Sequence, residues 1–161
     1  MNKPLIRKDV AKKTITVERT FAAPRARVWE AWTKSELLEK WWAPKPWIAV
    51  TKTFDFREGG HWHYYMQGPD GTKAWCWIGY ETIDAENSFT ARDAFCDENA
   101  VLAEGGPNMH WLNVFQDQGE ATHVTATITF ASEADMEKII AMGFEEGFSM
   151  GLGNLDELLA S

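Results

Sequence analysis

His61 and His63 stand two residues apart in the run His61-Trp62-His63-Tyr64-Tyr65-Met66. Side chains alternate between the faces of a strand, so both imidazoles would share one face and could ligate a metal, with His110 or His123 as a third ligand. No cysteine or acidic residue falls into a zinc spacing, and two polar residues on a solvated face explain the pair equally well, so no metal is expected. The groups that could act as general acids or bases (Asp55, Glu58, Glu81, Asp93, Asp97 and His110) are scattered along the chain. Glu81 and Asp93 lie in apolar strand-like runs, where burial would raise a carboxyl pKa; exposure or ion pairing is the ordinary alternative. No G-x-S-x-G elbow marks a nucleophile. No G-x-G-x-x-G or P-loop marks a nucleotide site, and no cofactor is expected.

The strongest chemical signal is aromatic. Nine Trp and nine Phe in 161 residues imply a core or a cavity built of flat, bulky rings. Alternation places Trp62, Tyr64 and Met66 on one strand face and His61, His63 and Tyr65 on the other. Trp75 and Trp77 share a face in the next run, as do Met109, Trp111 and Phe115 later. Short helices cannot cover all of these faces, so some rings are expected to line an apolar cavity. Near the end, Gly143, Gly147, Gly151 and Gly153 fall within one helical stretch, although each interior glycine costs roughly 1 kcal/mol relative to alanine. Three of them recur every four residues, leaving a bare face for close packing or for a bound molecule; alternatively Gly143 is only a helix boundary. The expected lining is Trp62, Tyr64, Met66, Trp75, Trp77, Trp111, Phe144, Phe148 and Leu152, with Tyr64 and His110 orienting a polar group of the guest.

These side chains need a frame. Residues 14–21 alternate apolar and polar with β-branched enrichment, which predicts a strand. Pro24 suits the first turn of a helix carrying Val28, Trp29 and Trp32, and a second short helix carries Leu37, Leu38, Trp41 and Trp42. Strand-like runs follow at 47–56, 61–67, 73–83, 88–96, 109–117 and 122–130, separated by turn chemistry of which Pro69-Asp70-Gly71 is the clearest. The stretch 97–108, with Gly105-Gly106-Pro107, reads as a mobile loop beside a pocket. Ser132 is an N-cap candidate with Asp135 three residues on, and the chain ends in a long helix with Phe144, Phe148, Leu152, Leu155 and Leu159 on one stripe. The order predicts an α+β fold: an antiparallel sheet gripped by its terminal helix. Residues 1–13 read as a solvated N-terminal arm and 14–161 as a single domain.

Composition narrows the function classes. A net charge of −8 argues against nucleic acid, which demands clustered Lys and Arg. No apolar run is long enough to cross a bilayer and no signal-peptide core follows Met1, so membrane insertion is not expected. Cys76 and Cys96 make neither a disulfide framework nor a zinc spacing and suit a reduced cytoplasmic setting, though their pairing is left open. Self-association into a homodimer through a sheet edge or a helix is also left open.

Several short motifs point the same way. Phe21-Ala22-Ala23-Pro24 followed by Val28-Trp29 and Ala31-Trp32, then Trp41-Trp42-Ala43-Pro44, then Gly59-Gly60-His61-Trp62 and Gly68-Pro69-Asp70-Gly71, stand in order. Gly79 with Glu81, Met142-Gly143-Phe144 and Glu146-Gly147-Phe148 complete the series. Across about residues 14–160 this pattern resembles the homologue family of the activator of heat-shock-protein-90 ATPase, within the START-like (SRPBCC, Bet v 1-like) superfamily. Ala43 replaces the glycine of the family's W-W-G-P element. The resemblance implies a helix-grip fold, with a curved antiparallel sheet around a long C-terminal helix and a hydrophobic cavity between them. Superfamily members bind lipids, sterols, polyketides and plant hormones, and some are cyclases or other enzymes. The eukaryotic co-chaperones carry an additional N-terminal domain; with about 13 residues before the first strand, that domain is not expected here. The leading expectation is binding of a small hydrophobic or aromatic molecule. A cyclase-, dehydratase- or hydrolase-type enzyme using the same cavity, and a chaperone-associated module acting through the acidic surface, are the alternatives.

Overall fold

The alternation in TITVERTF becomes strand Thr14–Phe21, whose inward residues Ile15, Val17 and Phe21 are almost wholly buried. The computed structural model describes residues 3–104, 106 and 108–160; Gly105 and Pro107 of the expected mobile loop lie outside the described residues. The elements run β1 (Leu5–Asp9), β2 (Thr14–Phe21), α1 (Arg25–Thr33), α2 (Ser35–Trp41), β3 (Ile48–Phe54), β4 (His61–Gln67), β5 (Lys73–Asp84), β6 (Ser88–Phe95), β7 (Asn108–Gln118), β8 (Ala121–Phe130), α3 (Glu133–Ala141) and α4 (Phe144–Ala160). All strands join one antiparallel sheet in the order β1-β2-β8-β7-β6-β5-β4-β3. The sheet grips α4, which is the helix-grip arrangement.

The basic segment read as a solvated arm also forms a strand. Leu5–Asp9 pairs with β2 as the edge strand, its side chains mostly exposed while its backbone completes the ladder. Arg7 pairs with Glu18, and Lys8 reaches Glu145 on α4 at 2.7 Å. Basic side chains can remain solvated while strand pairing satisfies the backbone beneath them.

Helix ends follow local chemistry. Pro24 sits at the N-cap of α1, one position before the helix, and its carbonyl accepts from the amides of Arg27 and Val28. Ser132 caps α3 by accepting from the Asp135 amide at 3.1 Å. Gly143 takes a φ of +88°, a left-handed conformation that ends α3 and lets α4 leave in a new direction. Its role as a helix boundary is therefore real, and it also faces the site described below.

Helix α4 is held against the end of α2 by two devices. Asn154, buried in α4, donates its side-chain amide to the carbonyls of Ala43 at 3.2 Å and Trp41 at 3.4 Å. At Gly151 a Cβ would stand 3.2 Å from the carbonyl oxygens of both Trp41 and Trp42. Gly153, by contrast, has open space where a Cβ would lie. Gly153→Ala is therefore expected to raise stability by about 0.5–1 kcal/mol through helix propensity. Gly151→Ala is expected to lower it by about 1 kcal/mol, because backbone must move. Urea denaturation of the two variants checks the difference in sign.

Candidate functional site

A partly open cavity of about 400 Å³ lies between the concave face of the sheet and the junction of α3 and α4. Strand alternation supplies its floor: Tyr64 and Met66 from β4, Ala74 and Cys76 from β5, Asp93 and Phe95 from β6, Met109 and Trp111 from β7. Ile139, Met142, Phe144 and Phe148 form the roof, and Trp42, Pro44 and Trp47 close the side beyond α2. The space exists because small residues meet there. Ala74 and Cys76 on the sheet, Gly143 at the α3–α4 junction and Gly147 on α4 all border it, and only Pro44, at 3.8 Å, would touch a Cβ at Gly147.

The surrounding rings brace one another. Trp62 stacks on Tyr64 with centroids 3.7 Å apart and a 16° interplanar angle. Trp42 lies 5.8 Å from Trp111 and 6.0 Å from Phe148, while Trp111 meets Phe148 edge to face at 5.3 Å. Phe144 stacks beside Phe148 at 5.6 Å. Such contacts hold bulky side chains in fixed rotamers, so the apolar walls are preformed.

Three polar side chains interrupt these walls. The Trp42 indole N–H donates to the Tyr64 hydroxyl at 2.9 Å. Burial first, then the proximity of Cys76 and Asp93, pushes the Tyr64 pKa well above its ordinary value. The Cys76 thiol is likewise raised, chiefly by burial and then by Asp93. Asp93 keeps some accessible surface along the cavity wall, yet protein atoms surround its carboxyl, and desolvation pushes its pKa up to about 7. The Trp111 indole N–H beside it favours the ionised form but makes no well-aligned hydrogen bond. Tyr64 and Cys76 stay neutral near physiological pH, so Asp93 is the cavity group whose charge changes there.

A helix-grip frame with this cavity invites comparison with known folds. The family model described as Activator of Hsp90 ATPase homolog 1-like protein matches residues 22–160. The chain belongs to this family. The Activator of Hsp90 ATPase homolog 1-like fold is shared with a solution NMR structure of a protein from Arthrobacter aurescens at a TM-score of 0.92 and 35% identity, covering 97% of this chain and 91% of that one. Protein Ms6760 from Mycobacterium smegmatis is similar at a TM-score of 0.89 and 31% identity, covering 96% and 95% of the two chains. A Staphylococcus epidermidis protein follows at 0.84 and 32%, covering 96% and 93%. A comparison with curated proteins finds no significant match. The family's fold supports a ligand-binding domain in general terms.

In this member of the Activator of Hsp90 ATPase homolog 1-like family, five of the ten expected site residues meet at the cavity: Tyr64, Met66, Trp111, Phe144 and Phe148. Trp62, stacked on Tyr64, and Leu152 are buried in the core and do not line it. Trp75, Trp77 and His110 are on the opposite face, contrary to expectation. Register pairs Trp75 with Tyr65 and Trp77 with His63, and cross-strand partners share a face. Trp77 therefore stacks on His61 at 4.3 Å, and Trp75 lies 4.7 Å from the Tyr65 ring. His110 points away from its neighbours Met109 and Trp111, toward Glu81 at 3.2 Å. Glu81, the other carboxylate considered for burial, thus sits in an outer-face ion cluster with Arg92. His61 meets Thr53 at 2.8 Å and His63 meets the Asp97 carbonyl at 3.0 Å, and no three metal-ligating side chains converge among the described residues. Cys76 and Cys96 are free thiols. Lining residues not anticipated include Trp42, Pro44, Trp47, Ala74, Cys76, Phe95, Met109, Ile139 and Met142. Asp93 was one of the two carboxylates, with Glu81, singled out in the sequence as lying in apolar strand-like runs where burial would raise the pKa.

Proposed function

We propose that this protein binds a small hydrophobic or aromatic molecule in the cavity between α4 and the sheet. The observation that carries this reading is a cavity of about 400 Å³ whose ring-lined wall also includes the small residues Ala74, Cys76, Gly143 and Gly147. A core selected only for stability would fill that space, because close packing is worth about 1 kcal/mol per buried methylene-sized group. A volume of about 400 Å³ suits a guest of one to three rings. Among the described residues no helix is long and apolar enough to cross a membrane.

N-phenyl-1-naphthylamine, which brightens in apolar surroundings, is the probe of choice. Fluorescence titration should give saturable binding to the wild-type protein. Ala74→Phe, which places a ring where the floor is open, should weaken it at least tenfold while the far-UV circular dichroism is retained. Equal affinity for both proteins would remove the cavity as the site.

A second reading is favoured by Asp93. A carboxyl that titrates near neutrality beside a hydroxyl and a thiol is what a proton-transferring enzyme of the cyclase, dehydratase or hydrolase type needs. That reading requires turnover to vanish in Asp93→Asn while probe binding persists.

A further inference from the structure

Asp93 stands out within the proposed cavity because nothing of opposite charge faces it. Among the described residues that line the space there is no Lys, Arg or His. The titratable groups near its carboxyl are Tyr64 on β4, Cys76 and Tyr80 on β5, and Cys96 just past β6. Burial raises the pKa of each, so all are neutral at physiological pH. The described residues that line the cavity from α3, α4, β7 and the segment after α2 carry no titratable group. A buried carboxylate without a partner is unfavourable, and proteins ordinarily pair it or leave it out.

The walls around it have the complementary property. The faces of Trp, Tyr and Phe rings carry negative electrostatic potential and attract cations. Trp42, Trp47, Trp111, Phe144 and Phe148 all border the same space as the carboxyl. An anionic guest would meet repulsion from Asp93 and from the rings alike. A neutral guest would leave the carboxyl protonated or unpaired. A cation on an apolar body satisfies every wall, and the net charge of −8 would draw such a guest toward the protein.

Resting on the cavity reading above, we infer that the guest is a hydrophobic amine whose ammonium group pairs with the Asp93 carboxylate while its apolar body lies among the rings. No bond is made or broken. Below pH 7 the empty cavity holds Asp93 protonated, so binding an ammonium must displace that proton. Affinity for the amine then falls as pH drops, by about tenfold per unit once Asp93 is mostly protonated.

The test uses matched probes on the full chain: 1-naphthylmethylamine, 1-naphthylmethanol and 1-naphthoate, with the corresponding benzyl series, titrated by isothermal calorimetry. At pH 7.5 the amine is expected to bind at least tenfold more tightly than the alcohol, and the acid most weakly. In Asp93→Asn the amine-to-alcohol ratio should collapse to within twofold of unity. In the wild type, amine affinity should fall between pH 7 and pH 5 while that of the alcohol changes little. Equal binding of amine and alcohol to the wild type, or an amine preference that survives Asp93→Asn, overturns the inference and leaves the cavity reading standing. Failure of both series to bind at all overturns the cavity reading and this inference with it.

Discussion

Asp93→Asn is expected to stabilise the protein by roughly 2–4 kcal/mol at pH 8 and to change its stability little at pH 4. The sign follows from the cavity. Asp93 has a folded pKa of about 7 against an ordinary value of 3.8, so the native state holds a proton that the unfolded chain has lost. Stability must therefore fall as pH rises from about 4 to about 7, and level off above it, where both states are ionised. Asparagine keeps the size of the side chain and removes the charge, so its benefit should grow through that same window. Urea unfolding of both proteins from pH 4 to pH 8 measures the gap. A gap that is constant with pH, or one that shrinks as pH rises, would mean that the carboxyl is well solvated. A residue retained at such a cost to stability is more readily understood as serving the guest than the fold.

Trp41→Ala should destabilise by about 4–5 kcal/mol. Trp41 has no exposed surface and packs against Trp32 at 4.9 Å and Trp42 at 5.3 Å. Its indole N–H donates at 2.8 Å to the carbonyl of Ala31, near the C-terminal end of α1, where intrahelical donors run out. Its own carbonyl receives Asn154 and abuts Gly151, so one residue ties α1, α2 and α4 together. Truncation leaves a large void and an unpaired buried carbonyl, and it loosens the backbone that sets Trp42 on the cavity wall. Urea denaturation should show a lower midpoint with an unchanged slope. A loss below 1 kcal/mol would show that neighbouring rings refill the space and that this tie is dispensable.

Much of the frame was legible because its signals are local. Alternation in TITVERTF, Pro24 at the start of α1, the Ser132 cap and the turn around Asp70 each act over a few residues, and the strands expected from residue 14 onward fall within a residue or two of expectation. The inward set Trp62, Tyr64 and Met66 was also readable from alternation within one strand. What failed was the relation between strands. The turn joining β4 to β5 pairs Gln67 with Lys73, so odd-numbered residues meet odd-numbered ones along the whole hairpin. Trp75 and Trp77 must then lie with His61, His63 and Tyr65, and the inward places go to Ala74 and Cys76. Composition drew attention to the tryptophans, whereas the cavity depends on the small residues between them. His110 was misplaced against its own strand, since Met109 and Trp111 on either side already pointed inward. Trp42 and Trp47 were beyond local reasoning, because they reach the site through the packing of α2 against α4, held by Asn154 and Gly151. The N-terminal arm escaped for a related reason: pairing at a sheet edge satisfies backbone groups whatever the side chains are.

The central claim is that the space beneath α4, and not the aromatic outer face, receives a small apolar guest. Amide chemical shifts of the ¹⁵N-labelled protein, followed while 1-naphthylmethanol is added, test it most directly. The expected result is saturable shifts at Tyr64, Cys76, Asp93, Trp111 and the stretch from Gly143 to Phe148, with the outer-face residues His61, Trp77 and His110 unmoved. Shifts centred on His61, Trp75 and Trp77 instead, or no saturable shift at any residue, would contradict it.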